Sequence, residues 1–143
     1  MKPCLADANI VLPLLVPAHI HYARVRQWFD GLDAGEFALC RFVQLAALRL
    51  LCNRAVMGDR AISGSAAVGI VSELLEDERV NFMHEPKGLD QVLPGLFRHA
   101  APTSQLAADV YLAAFAISGE MRLVTIDRGF RQFRGLDLVL LEE

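Results

Sequence analysis

The sequence has no CxxC pair, almost no lysine, no surplus of positive charge, and no apolar run approaching the roughly 18 residues that would suggest a membrane span. Each absence excludes something. The three cysteines, Cys4, Cys40 and Cys52, stand in apolar stretches without paired histidines, which argues against a zinc site and against a disulfide framework. A reducing cytoplasm is the expected compartment. Lys2 is followed so soon by Asp7 that nothing at the N-terminus resembles a signal peptide. Lysines and arginines number 14 against 17 acidic residues, so the whole chain offers no basic footprint for non-specific binding of nucleic acid. Repeats, low-complexity segments and linker-like composition are also missing. The chain therefore reads as one domain, 1–143, and its 54% hydrophobic residues suffice for a core without staples.

What is present is a succession of short apolar segments. Residues 4–6 form a buried strand that stops at Asp7, and the chain restarts at Asn9 and runs to Val16. Val25, Trp28, Phe29 and Leu32 recur at helical spacing within residues 19–32. A second strand over 36–40 leads into an apolar helix over 42–52, interrupted by Gln44 and Arg49. Ser63 caps a helix with Ala67, Val71, Leu74 and Leu75 as its buried stripe, followed by a weak strand over 80–83. Residues 84–102 are broken by Pro86, Gly88, Pro94 and Gly95, leaving a turn or two of helix around 89–93. Ser104 is expected to cap a very apolar helix over 106–118 that Gly119 closes. The clearest strand, 122–126, ends at Asp127, and a last one covers 138–141. Five strands alternating with helices predict an α/β fold: three layers, with a central parallel sheet of about five strands and helices on both faces.

Ligands of open parallel sheets bind beyond the C-terminal ends of the strands. Asp7 and Asp127 both follow strands, and Asp109 lies inside a helix so apolar that an unpaired carboxylate there is costly. Together they suggest oxygen ligands for a hard cation, Mg²⁺ or Mn²⁺. Singly, each has a plainer explanation: Asp7 opening a loop, Asp109 facing a helix dipole, Asp127 making an Asx turn with Arg128 and Gly129. Their joint placement favours the metal reading.

The segments Leu5-Ala6-Asp7-Ala8-Asn9, Gln44 to Gly58, Ala108-Asp109-Val110-Tyr111-Leu112-Ala113-Ala114 and Leu123-Val124-Thr125-Ile126-Asp127-Arg128-Gly129-Phe130 resemble the PIN domain, and within it ribonuclease toxins of the VapC type. The similarity runs in order over almost the whole chain. It implies a Mg²⁺-dependent endoribonuclease of a toxin-antitoxin pair, with Asp7 and Asp109 binding the metal, Asp127 completing the acidic pocket, and Asn9 and Thr125 supporting it. It also implies a homodimer and a VapB-type antitoxin whose C-terminal segment covers the pocket. Where most of the family has a glutamate this chain has Gln44, which offers a neutral carbonyl oxygen but cannot serve as a base.

Arg49 is positioned either to orient a carboxylate or contact phosphate, or to snorkel. Arg98 and His99, with Arg128, Arg131 and Arg134, are candidates for a positive rim contacting RNA. His19, His21 and His84 lack metal-ligand spacing and receive no role. Leu12, Leu14, Leu15 and Val16 exceed the obvious needs of a small core and hint at an interface. Two other functions remain: a silent module binding RNA or protein, favoured by Gln44, and a phosphoryl-transfer domain, disfavoured because the only lysines are Lys2 and Lys87. With Asp7, Asp109 and Asp127 assigned to one metal pocket, the remaining charges balance. RNA binding is then expected to depend on the metal and a local arginine rim.

Overall fold

The computed structural model describes residues 2–142. Its sheet has five parallel strands, β1 (Cys4–Ala6), β2 (Phe37–Cys40), β3 (Val80–Met83), β4 (Arg122–Thr125) and β5 (Leu138–Leu140), in the order β3-β2-β1-β4-β5. Every residue of β1 and β2 is buried, although successive side chains of a strand point to opposite faces. Both faces of the sheet are therefore covered. This is the burial expected of parallel strands joined by helical crossovers, and it is why these strands read as unbroken apolar runs.

Seven α-helices provide the cover: α1 (Ala8–Leu15), α2 (Tyr22–Asp30), α3 (Arg41–Leu51), α4 (Arg54–Met57), α5 (Gly64–Glu76), α6 (Leu89–Arg98) and α7 (Leu106–Ser118). From β1 the chain moves outward to β2 and β3, then returns to place β4 on the other side of β1. The order in which strands are added thus reverses between β1 and β4, with all strands remaining parallel. A crevice opens at the C-terminal edge of such a switch point, and Asp7 and Asp127 stand there.

Three expectations need correction. The segment around Leu89 is a full ten-residue helix, α6, that continues through Pro94. Leu89 is buried and Val92, Leu93 and Leu96 pack against the core, so tertiary burial outweighs the hydrogen bond that Pro94 cannot make. Ser104 does not cap α7. The N-cap is Gln105, already near helical geometry, and the Leu106 N–H is taken by the Thr103 carbonyl at 3.2 Å, so the turn begins before Ser104 can act. Finally, Leu12 and Leu14 are not left over for an interface: Leu14 belongs to the main core, and Leu12 packs with Leu51, Ala67 and Val71 in a smaller one. By contrast Ser63 does cap α5, accepting from the Ala66 N–H at 3.2 Å.

The turn from α7 into β4 is tight. A Cβ on Gly119 would stand 3.0 Å from the Phe115 carbonyl oxygen, 3.1 Å from Pro86 and 2.7 Å from the Met121 methyl. The methyl can move, but the carbonyl closes the helix by accepting from the Gly119 N–H. Gly119→Ala is therefore expected to destabilise the protein by about 1–3 kcal/mol, the usual range for overpacking. Urea unfolding will check this through a lowered midpoint at unchanged slope.

Candidate active site

The crevice is built around one buried hydroxyl. Thr125, the last residue of β4, is fully buried, and its Oγ1 lies 2.9 Å from Asp7 Oδ2 and 3.2 Å from Asn9 Oδ1. Its single hydrogen goes to the nearer, charged acceptor. The same oxygen accepts from Asn9 Nδ2 at 3.0 Å and from the Asp127 N–H at 3.1 Å. Asn9 Oδ1 in turn accepts from the Ile126 N–H at 3.3 Å. Thus three residues from the two ends of the chain, Asp7, Asn9 and Asp127, are held by one side chain.

Each aspartate also has a local structural task. Asp7 does not open a loop but caps α1, its Oδ1 accepting from the Ala8 N–H at 2.7 Å. Asp127 makes the expected Asx turn, its Oδ1 accepting from the Gly129 N–H at 2.8 Å. Each of these contacts uses one oxygen of its carboxylate. The carboxylate of Asp109, in the first turn of α7, has no hydrogen bond or ion pair among the described residues. The structural and the metal readings of these residues are therefore compatible.

The electrostatics single out Asp109. Burial first, and then the neighbouring Asp7 and Asp127 charges, together raise its pKa to about 6. Asp7 is also raised, mainly by burial, against the opposing effect of its bonds from Thr125 and Ala8. Asp77 shows the reverse case. It receives two bonds from the Arg79 guanidinium and is held down to about 2, a structural ion pair whose arginine also stacks 4.0 Å over Phe29. Among the described residues no cation is paired in this way with the acids of the strand-end cluster.

A cavity of about 330 Å³ opens over this cluster, lined by Asp7, Asn9, Asp109, Asp127, Arg49 and His19, with Gln105 at the start of α7. Arg49 makes no ion pair among the described residues. Gln44, Arg98 and Arg128 are not brought to this cavity. Gln44 is half-buried with its Oε1 accepting from Arg41 Nη1. Arg98 ends α6 on the surface. Arg128 pairs with Glu142 at 2.9 Å, and Arg131 joins the same carboxylate at 3.1 Å. Arg134 and His99 line a different cavity of about 350 Å³, which no carboxylate lines. The arginines expected as one rim are thus dispersed. His19 and Gln105, to which the sequence assigned nothing, line the acidic cavity instead.

Among the described residues, no three His, Cys, Asp or Glu side chains are placed to enclose a metal ion by themselves. Mg²⁺ does not need such a cage, since it commonly takes one or two carboxylates and keeps several waters. The donors fit that habit: hard oxygens only, with the partnerless Asp109 facing two like charges that a cation would offset.

Comparison with known proteins fits this geometry. Ribonuclease VapC41 of Mycobacterium tuberculosis is 36% identical over 142 residues, covering 96% of this chain and 97% of its own length. The chain belongs to the VapC ribonuclease family. Ribonuclease VapC29 of the same organism is 30% identical, covering 96% of this chain and 95% of that relative. No protein-family model matches. The VapC fold is seen again in VapBC-1 of nontypeable Haemophilus influenzae, with a TM-score of 0.69 at 14% identity and 96% of each chain covered. The sarcin-ricin loop cleaving toxin VapC20 of Mycobacterium tuberculosis aligns with a TM-score of 0.65 at 16% identity, over 94% of this chain and 98% of its own. The three-layer PIN architecture expected from the sequence is the one these VapC chains share.

Proposed function

We propose that this VapC-family chain is the toxin of a toxin-antitoxin pair and hydrolyses RNA phosphodiesters with Mg²⁺ or Mn²⁺ held, through one or two direct carboxylates and retained waters, in the cluster of Asp7, Asp109 and Asp127. The observation that carries the reading is the convergence of three strand-end and helix-start carboxylates on one cavity, with Asp109 left uncompensated. When bound, the cation supplies Lewis-acid stabilisation of the phosphodiester and makes water a usable nucleophile near neutral pH. The chain's own residues do the rest. Thr125 and Asn9 fix the Asp7 carboxylate and the Asp127 backbone relative to each other, so the donors are oriented before substrate arrives. Arg49, exposed at the cavity with no carboxylate partner among the described residues, supplies a guanidinium for a phosphate oxygen. Gln44 takes no part in proton transfer, because an amide is no base and its carbonyl oxygen is held by Arg41.

A VapB-type antitoxin is the proposed protein partner, in keeping with the VapBC-1 pair among the structural neighbours. A homodimer is supported by the exposed apolar residues Leu45, Val56 and Val68. No helix among the described residues is long and apolar enough to cross a membrane. Gln44 favours one other reading, a module that binds RNA without cutting it.

Incubation of total RNA with the purified chain distinguishes the two. Cleavage is expected with Mg²⁺ or Mn²⁺, is expected to stop in EDTA, and should return when excess Mg²⁺ is added. Cleavage that EDTA leaves undiminished would overturn the metal mechanism, and RNA binding without cleavage in Mg²⁺ would favour the silent module.

A further inference from the structure

His19 stands in the turn between α1 and α2, which is fixed on both sides. Its N–H donates to the Val16 carbonyl at 2.9 Å, and its carbonyl accepts from the Tyr22 N–H at 3.0 Å. The side chain is fixed as well. Nδ1 accepts from the His21 backbone N–H at 3.1 Å, and the two imidazoles lie 5.6 Å apart.

That one bond decides the chemistry of the ring. A neutral imidazole carries one proton, and an Nδ1 whose lone pair is taken by an N–H cannot hold it. The proton therefore sits on Nε2. Neither nitrogen then has a lone pair to offer a cation, which excludes His19 as a metal ligand although it shares a cavity with three acids. What it offers is a donor. Nε2–H has no acceptor among the described residues, and the ring is held neutral by burial and by His21.

A polyanionic strand entering a pocket of carboxylates needs donors for its phosphate oxygens. A neutral donor suits this place, because it contacts phosphate without forming an ion pair that would consume an aspartate. From this juxtaposition we infer that His19 is a substrate-contacting residue, its Nε2–H donating to a phosphodiester oxygen of the single-stranded RNA bound over Asp7, Asp109 and Asp127. The inference rests on reading the cavity as the RNA site, and it adds a contact that the carboxylates cannot make.

The test uses the full chain with all three aspartates intact and Ca²⁺ in place of Mg²⁺, which fills a carboxylate site but activates water far less, with a fluorescein-labelled single-stranded oligoribonucleotide read by anisotropy. Introducing His19→Ala should weaken binding about 10-fold, the effect of losing one hydrogen bond to a charged group. His19→Gln, which keeps an N–H near the Nε2 position, should recover most of the loss. Neither change should move the melting temperature in step with affinity. Independently, the long-range ¹H–¹⁵N spectrum of the free wild-type chain at pH 7.5 should show the Nε2–H tautomer of His19, and RNA should shift that nitrogen. Equal affinity in the His19→Ala chain, or an Nδ1–H tautomer, would overturn the assignment while leaving the nuclease reading intact. Failure of the parent chain to bind RNA at all would instead refute the reading of the cavity.

Discussion

Asp109→Asn is expected to lower Mg²⁺-dependent RNA cleavage by about 1,000-fold and, in the absence of metal, to make the protein more stable. With the proposed metal site, the first effect follows from removing a ligand charge from the cation that would stabilise the transition state, for which losses of about 10²–10³-fold are usual for even one polar donor. The second follows from the electrostatics. In the folded chain Asp109 has its pKa at about 6, above the ordinary aspartate value near 4 of the unfolded chain. Between those pH values the native state binds more protons than the unfolded one, so stability falls as pH rises through the window and stays low above it. Below about pH 4 both states are protonated and the penalty vanishes. Because the carboxylate is only partly buried, solvent screens the effect, and about 1 kcal/mol is the expected size. Asn keeps the shape and removes the charge.

Thermal melts in EDTA at pH 5 and pH 7.5 will show whether the wild type loses more stability on ionisation than the variant does. Mg²⁺ should then raise the wild-type melting temperature and leave that of Asp109→Asn nearly unchanged. A variant that is destabilised in EDTA at pH 7.5 would mean that Asp109 has a cationic or hydrogen-bonding partner, and would undermine its role as the uncompensated ligand. A stabilising loss of function is the expected mark of a residue kept for chemistry at the expense of the fold.

The parts of the site legible in the sequence are those set by local pattern. Cys4-Leu5-Ala6 and Arg122-Leu-Val-Thr125 read as strands because buried parallel strands are apolar on both faces, and an acid directly after such a run falls at a strand end. The meeting of Asp7 and Asp127 at one crevice depends on the order β3-β2-β1-β4-β5, which follows from parallel pairing and not from any local motif. His19 escaped for a related reason. In the sequence, helical spacing covers residues 19–32 and metal-ligand spacing is the only role sought for the histidines, whereas α2 begins only at Tyr22 and both rings lie in the preceding turn. The arginine rim failed because the acid that binds Arg128 and Arg131, Glu142, lies 11 residues or more along the chain. The run of breakers at Pro94 and Gly95 concealed α6, since a local scan records the lost hydrogen bond at Pro94 but not the apolar face that packs against the core.

The largest stability loss at the site is expected from Thr125→Val, which keeps the shape of the side chain and removes one oxygen. That oxygen serves three partners. Asp7 Oδ2 loses its donor, while Asn9 Nδ2 and the Asp127 N–H lose their acceptor, all in a place where the parent side chain is fully sealed from water. Each buried polar group left unsatisfied costs about 1–3 kcal/mol, and relaxation of Asn9 and Asp127 toward the open cavity recovers part of it, so about 2–4 kcal/mol is expected overall. Activity should fall as well, by about 10–100-fold, because the carboxylate of Asp7 is no longer held in register with Asp127. Thr125→Ser distinguishes this cause from packing: it loses a buried methyl but keeps the hydroxyl, so cleavage should remain near the wild-type rate even where stability drops by about 1 kcal/mol. Parallel measurement of urea midpoints and initial cleavage rates for the two variants supplies the comparison. If Thr125→Val cleaves as well as Thr125→Ser, the hydroxyl does not position the site, and the hydrogen bonds around it serve the fold alone.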